Sequence, residues 1–232
     1  MAKLRSISTI LSSRNRRRTI PATVAACLLG ACSSEGGGDW SPLYEIAKNA
    51  WTGESEKVTL EEAAAVPYAS MGISLGGGPQ VMMLLIGDTD GQQLWISGAK
   101  IAITTKYGRI VRTAGIEHDL GGYESRGGTG DNLRSTVAQT VRWQADFPDL
   151  RLYSVSIVCQ DKPAGEETIT ILGKDIHTLR VEETCASESS RLDWSFDNTY
   201  WVDTQDALVW RSIQHVHPKL DKIEIEILRP PG

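Results

Sequence analysis

The chain has 232 residues, with 24 Lys and Arg against 29 Asp and Glu, a formal net charge of −5. A chain this acidic lacks the basic footprint that nucleic acid or anionic lipid surfaces select, so neither is expected as a partner. Hydrophobic residues make up 41% and the length suits one domain with a full core.

The first 31 residues carry Lys3, Arg5, Arg14, Arg16, Arg17 and Arg18 and no acid, followed by a short apolar stretch from Ile20 to Gly30. This is the basic and apolar order of a secretory signal, too short for a spanning helix of about 20 residues. It ends in Leu29-Gly30-Ala31-Cys32, which resembles the bacterial lipobox: small residues for the peptidase, then a thiol that takes the lipid. The expected organisation is therefore a signal peptide over 1–31, a lipidated tether over 32–39 and a single domain over 40–232. Gly36-Gly37-Gly38 supplies a flexible tether. Ser33 after the cysteine, rather than Asp, points to the outer membrane, on its periplasmic face. Losing the six signal cations leaves 18 Lys and Arg against 29 acids, so the mature chain is near −11.

From Trp40 to Ser70 the reading is helical. Leu43, Ile46, Ala47, Ala50 and Trp51 form one stripe, and Thr59-Leu60-Glu61-Glu62 has the form of a capping box opening a short helix that Pro67 ends. Beyond Met71 the pattern turns to strands. Val81–Ile86, a turn at Asp88–Gly91 and Gln92–Ser97 make a hairpin, and Ala99–Thr105 and Arg109–Thr113 follow around Lys106-Tyr107-Gly108. Residues 121–130, five of them Gly, lack the Lys of a phosphate loop and read as a surface excursion.

The second half alternates with period two: Tyr153, Val155, Ile157 and Cys159; Ile169 and Ile171; Leu192, Trp194 and Phe196; Ile223, Ile225 and Ile227. Repeated this often, the alternation predicts a mainly-β fold, an antiparallel meander curled into a half-barrel or open barrel, with short N-terminal helices. Cys27 leaves with the signal and Cys32 takes lipid, so Cys159 and Cys185 remain as an expected disulfide. Closing a loop of about 25 residues contributes about 3–4 kcal/mol in the chain-entropy account.

Catalytic motifs are absent from the sequence: no G-x-S-x-G, no H-E-x-x-H and no Cys–His pairing. No cofactor is expected. His215 and His217 share a strand side and offer at most two metal ligands, so they read as exposed histidines and not as a metal site. A hidden glycosidase pair is the alternative, at Glu117 with Asp119 or Asp193 with Asp197. The seven Trp suit sugar-binding grooves and equally suit β cores and interfaces.

An ordered set of segments then points to a family. Val66-Pro67-Tyr68-Ala69-Ser70-Met71 precedes a hydrophobic strand and Trp95, then Gly108 to Ile116 with Asp119-Leu120. Late in the chain come Asn198 to Asp203, Val209 to Gln214 and Pro218. Taken in this order and after a lipobox, they resemble the YjbF family of lipoproteins, which includes the group 4 capsule lipoprotein; the Gly-rich insert after Leu120 departs from it. The resemblance implies a mainly-β outer-membrane lipoprotein that assists production or export of extracellular or capsular polysaccharide, with the polymer or export proteins as partners. It supplies no catalytic residue. The expected role is that of a non-enzymatic binder or scaffold, with Trp201 or Trp210 stacking on sugar and Arg109 and Gln214 donating to hydroxyls. The alternatives are a polysaccharide hydrolase and a protein-only assembly factor.

Overall fold

The computed structural model describes residues 57–126, 133 and 137–232. The signal, Cys32, the tether and the stripe from Leu43 to Trp51 lie outside the described residues, as does the second half of the Gly-rich stretch. All described residues belong to one unit, 39–232.

Alternating side chains with few helix signals give a single antiparallel sheet. Its strands are β1 (Ser70–Leu75), β2 (Val81–Thr89), β3 (Gln92–Ile96), β4 (Ala102–Lys106), β5 (Arg109–Ala114) and β6 (Gly122–Ser125). They continue as β7 (Gln139–Phe147), β8 (Leu152–Ile171), β9 (Lys174–Ser187), β10 (Ser195–Asp203), β11 (Val209–Gln214) and β12 (Ile223–Arg229). In space the order runs β5-β4-β3-β2-β1-β12-β11-β10-β9-β8-β7-β6. Each strand thus lies beside its neighbour in sequence, and the first pairs with the last. The one break in this circle is between β5 and β6, where the Thr113 amide still donates to the Leu120 carbonyl. The result is an up-and-down barrel open along one seam, in agreement with the expected curled meander.

Directly opposed residues of an antiparallel pair share a face, so register sorts the inside from the outside. Met71 opposite Ile227 and Ile73 opposite Ile225 face inward, as do Val141 opposite Cys159 and Trp143 opposite Ile157. These residues join the main apolar cluster. Cys159 and Cys185 are opposed in the β8–β9 register and are disulfide-bonded.

The apolar run in β2 is buried on both faces for a specific reason. Met83 points inward, while Met82 and Leu84 point outward and are covered by α1 (Leu60–Ala65) through Ala63 and Val66. The helix begins at the expected capping box: the Thr59 hydroxyl accepts from the Glu62 amide at 3.2 Å, and the Glu62 carboxylate accepts from the Thr59 amide at 2.7 Å. The hairpin turns fall where expected, at Asp90-Gly91 and Tyr107-Gly108, each with positive φ at both positions. Gly108 has no alternative, because a Cβ there would come within 2.4 Å of Val209.

Two readings need correction. Gly122–Ser125, taken as part of a surface loop, pairs with β7, and Tyr123 stacks on Trp143 with ring centroids 4.7 Å apart. A short apolar-poor strand beside glycines gives no period-two signal. At the other site, Tyr153 is 55% exposed although it was grouped with Val155 and Ile157. Ser154 takes a positive φ of 51°, which turns Tyr153 off the inward face.

Candidate functional site

The turn between β4 and β5 bends into the barrel and carries Arg109 with it. Arg109 is 2% exposed. Its Nη1 donates to Glu183 Oε1 at 2.6 Å and to the Tyr200 hydroxyl at 3.0 Å, and its Nη2 donates to Asp161 at 3.3 Å. The guanidinium lies between two rings, 4.9 Å from the centroids of both Trp143 and Tyr200. Glu183 also accepts from Asn198 Nδ2 at 2.7 Å. Gln214 completes the arrangement, accepting from the Ile110 amide and donating to the Gly108 carbonyl and the Ser212 hydroxyl.

The electrostatics follow from burial opposed by pairing. Burial works against the charge on Arg109, but Glu183, Tyr200 and Asp161 outweigh it and hold the guanidinium charged. Burial likewise opposes ionisation of Glu183, and Arg109 with the hydrogen bonds around it keeps its pKa below the usual value. Asp161 goes the other way: burial, helped by the neighbouring Glu183 charge, pushes it up to about 7 despite Arg109. One cation and one full anion therefore share the cluster, with a second acid that is partly protonated near neutrality.

Of the four residues expected to contact sugar, Arg109 and Gln214 come together here, inside the barrel. Trp201 and Trp210 lie elsewhere, both 8% exposed. Trp201 is opposed to Arg180 and Arg211, on the face away from Tyr200, and Trp210 is the extra residue of a bulge between β10 and β11. The tip of the β8–β9 hairpin reaches over them. Arg211 Nη2 donates to the Thr170 carbonyl at 3.4 Å, Lys174 stands 5.5 Å above the Trp210 ring, and Arg211 stands 5.7 Å above Trp201. Trp210 Nε1 donates to Asp203, whereas buried Trp201 Nε1 finds no acceptor among the described residues.

Sequence reasoning missed Glu183, Asp161, Tyr200 and Asn198. A signal was present: Glu183 falls between Val181 and Cys185, and Asp161 two after Cys159, at positions whose alternation demands apolar side chains. A polar group at inward parity implies a buried partner.

The histidines are placed differently from expectation. His215 Nδ1 is 2.7 Å from the Asp197 carbonyl, while His217 is 1% exposed and not a surface residue. His217 Nδ1 accepts from the Lys219 amide at 3.1 Å, so its Nε2 carries the proton and donates to Asp149 at 2.9 Å. His118 Nδ1 donates to the other Asp149 oxygen at 2.9 Å, with the two imidazoles stacked 5.0 Å apart. Burial opposes the Asp149 charge, but the hydrogen bonds from His118 and His217 together outweigh it and lower its pKa; burial lowers that of His217. A metal at His217 Nε2 would need that proton gone and the Lys219 bond given up. This set is a hydrogen-bonded clamp between loops.

One member of each expected carboxylate pair is held by the protein, while Glu117 and Asp193 are exposed. Asp119 accepts from the Thr113 hydroxyl and the Gly115 and Ile116 amides, and Asp197 accepts from the Thr184 hydroxyl. By contrast, one end of the barrel interior is open, with a cavity of about 740 Å³ beside β1, β11 and β12.

With this geometry in view, the sequence matches the family described as group 4 capsule polysaccharide lipoprotein gfcB, YjbF, over residues 43–228. The chain belongs to the YjbF family. Two relatives from Escherichia coli (strain K12) are similar to it. The uncharacterized lipoprotein GfcB is 26% identical over 184 residues, 76% of this chain and 84% of GfcB. The uncharacterized lipoprotein YjbF is 27% identical over 205 residues, 81% of this chain and 87% of YjbF. The crystal structure of the hypothetical lipoprotein YmcC from Escherichia coli (K12) shares the fold, with a TM-score of 0.64 at 21% identity, covering 83% of this chain and 95% of that one. Membership in the YjbF family supports a lipid-anchored protein with a capsule-related role.

Proposed function

We propose that the chain is a non-enzymatic accessory in extracellular or capsular polysaccharide production or export, anchored through Cys32 at the periplasmic face of the outer membrane. The observation that carries this reading is how the titratable groups are used. Arg109, Glu183 and Asp161 neutralise one another within the barrel, and Asp119 and Asp149 hold loops. General acid–base work needs a carboxyl within reach of a bound substrate, and these groups are turned toward the protein itself.

Polymer contact is assigned to the outer strip around Lys174, whose ammonium stands 5.5 Å over the Trp210 ring, while Arg211 is already paired with Glu226. Both indoles are buried under the β8–β9 tip, so the group offered at the surface is the Lys174 ammonium, which suits the carboxylate of an acidic sugar. The test is retention of the full chain on immobilised exopolysaccharide from its host. Retention that falls at least tenfold in Lys174→Ala and Trp210→Ala, with far-UV circular dichroism unchanged, is the expected result. Unchanged retention would transfer the role to protein-only assembly, and release of new reducing ends from the polymer would overturn the non-enzymatic reading.

A further inference from the structure

The open end of the barrel has a chemistry that polysaccharide contact does not use. Its cavity of about 740 Å³ lies in the range of small-ligand sites, about 300–1,000 Å³. The walls are Met71 of β1, Val202 of β10, Val209 of β11 and Ile225 and Ile227 of β12. Leu208, Pro230 and Pro231 stand at the rim. The floor is set by the inward turn at Tyr107-Gly108, which meets Val209 so closely that Gly108 cannot carry a side chain.

What such a cavity accepts follows from what it lacks. Among the described lining residues Asp206 is the one charged side chain, and none is Trp. Sugar hydroxyls taken against aliphatic walls would lose their hydrogen bonds to water without replacement. An unbranched hydrocarbon loses nothing there and removes apolar wall from water. The polar lining groups Gln93, Thr105 and Ser212 are already bonded to Asp88, Trp95 and Gln214, which leaves little to bind a polar ligand. A barrel that admits a ligand at one end and is packed at the other is the arrangement in which up-and-down barrels hold small apolar molecules.

We infer that the cavity walled by Met71, Val202, Val209, Ile225 and Ile227 binds one alkyl chain of a membrane amphiphile, with its polar head at the Leu208–Pro231 rim. The site is independent of the outer Trp strip and of any polymer contact there.

The test uses the full chain in membranes of the producing cell and a diazirine-bearing dodecanoic acid as probe. After irradiation, peptides are mapped by mass spectrometry. Label is expected on the segments 202–209 and 225–231. Unlabelled fatty acids should compete, improving roughly fourfold per added methylene until the cavity is filled, while a neutral hexasaccharide should not compete. Leu208→Glu and, at the second-last residue, Pro231→Glu should each cut labelling at least tenfold, with circular dichroism unchanged. Pro231→Glu lies beyond the last strand, so its result does not depend on folding of the sheet. Label spread evenly over the surface, competition that ignores chain length, or full labelling of both variants would overturn the assignment.

Discussion

Two regions inside the same barrel, separated by one turn, follow opposite rules. Around Arg109 the interior is sealed and polar: Arg109, Glu183, Asp161, Asn198 and Gln214 are all at most 5% exposed. On the other side of Tyr107-Gly108 the interior is open and aliphatic. Ordinarily water-accessible walls are polar and closed ones apolar. The inversion separates structure from recognition. Charges paired in a sealed space fix where the turn inserts, whereas the aliphatic walls line a space that faces an opening.

The strongest way to break the sealed side is Arg109→Met. It leaves Glu183 buried without its cation, and loss of one partner of a buried ion pair costs about 3–5 kcal/mol. Guanidinium unfolding should give an unfolding free energy lower by that amount, and a change below about 1 kcal/mol would mean that the cluster does not hold the turn.

Next in size is a pH effect. Asp161 titrates at about 7 when folded and near 4 when unfolded. Between those values the folded state binds the extra proton, so this group's contribution falls as pH rises from about 4 through 7, by at most about 4 kcal/mol. Asp161→Asn removes that fall. Relative to the wild type, the variant should therefore gain stability between pH 5 and pH 8, measured as the difference in unfolding free energy, and an equal difference at both pH values would contradict the assignment.

The smallest effect is expected on the open side. Pro231→Glu at the rim, beyond the last strand, should change stability by no more than about 0.5 kcal/mol, in thermal unfolding followed by circular dichroism, while abolishing alkyl labelling. A large loss would mean that the rim belongs to the core.

Much of the barrel was legible before its coordinates. Period-two alternation marked Val155 to Cys159 and Ile223 to Ile227, the Asp-Gly and Tyr-Gly turns marked two hairpins, and the Thr59–Glu62 box marked the helix start. Each of these is a local rule. Closure was not legible, because whether β1 meets β12 depends on accumulated twist and not on any one segment. The fate of Arg109 and Gln214 was hidden for a similar reason. Both stand beside a turn, where polar residues are normally solvated, and their long-range partners arrive from 52 to 106 residues away.

The pairing of β1 with β12 also sets an order of events. A ribosome delivers β1 early and β12 last, so one edge of β1 stays unpaired until the final segment has emerged. Those exposed amides and carbonyls invite any passing strand, its own neighbours included. Completion of this sheet is therefore a race between the chain's own C-terminus and its competitors, won only by a molecule finished to its last strand.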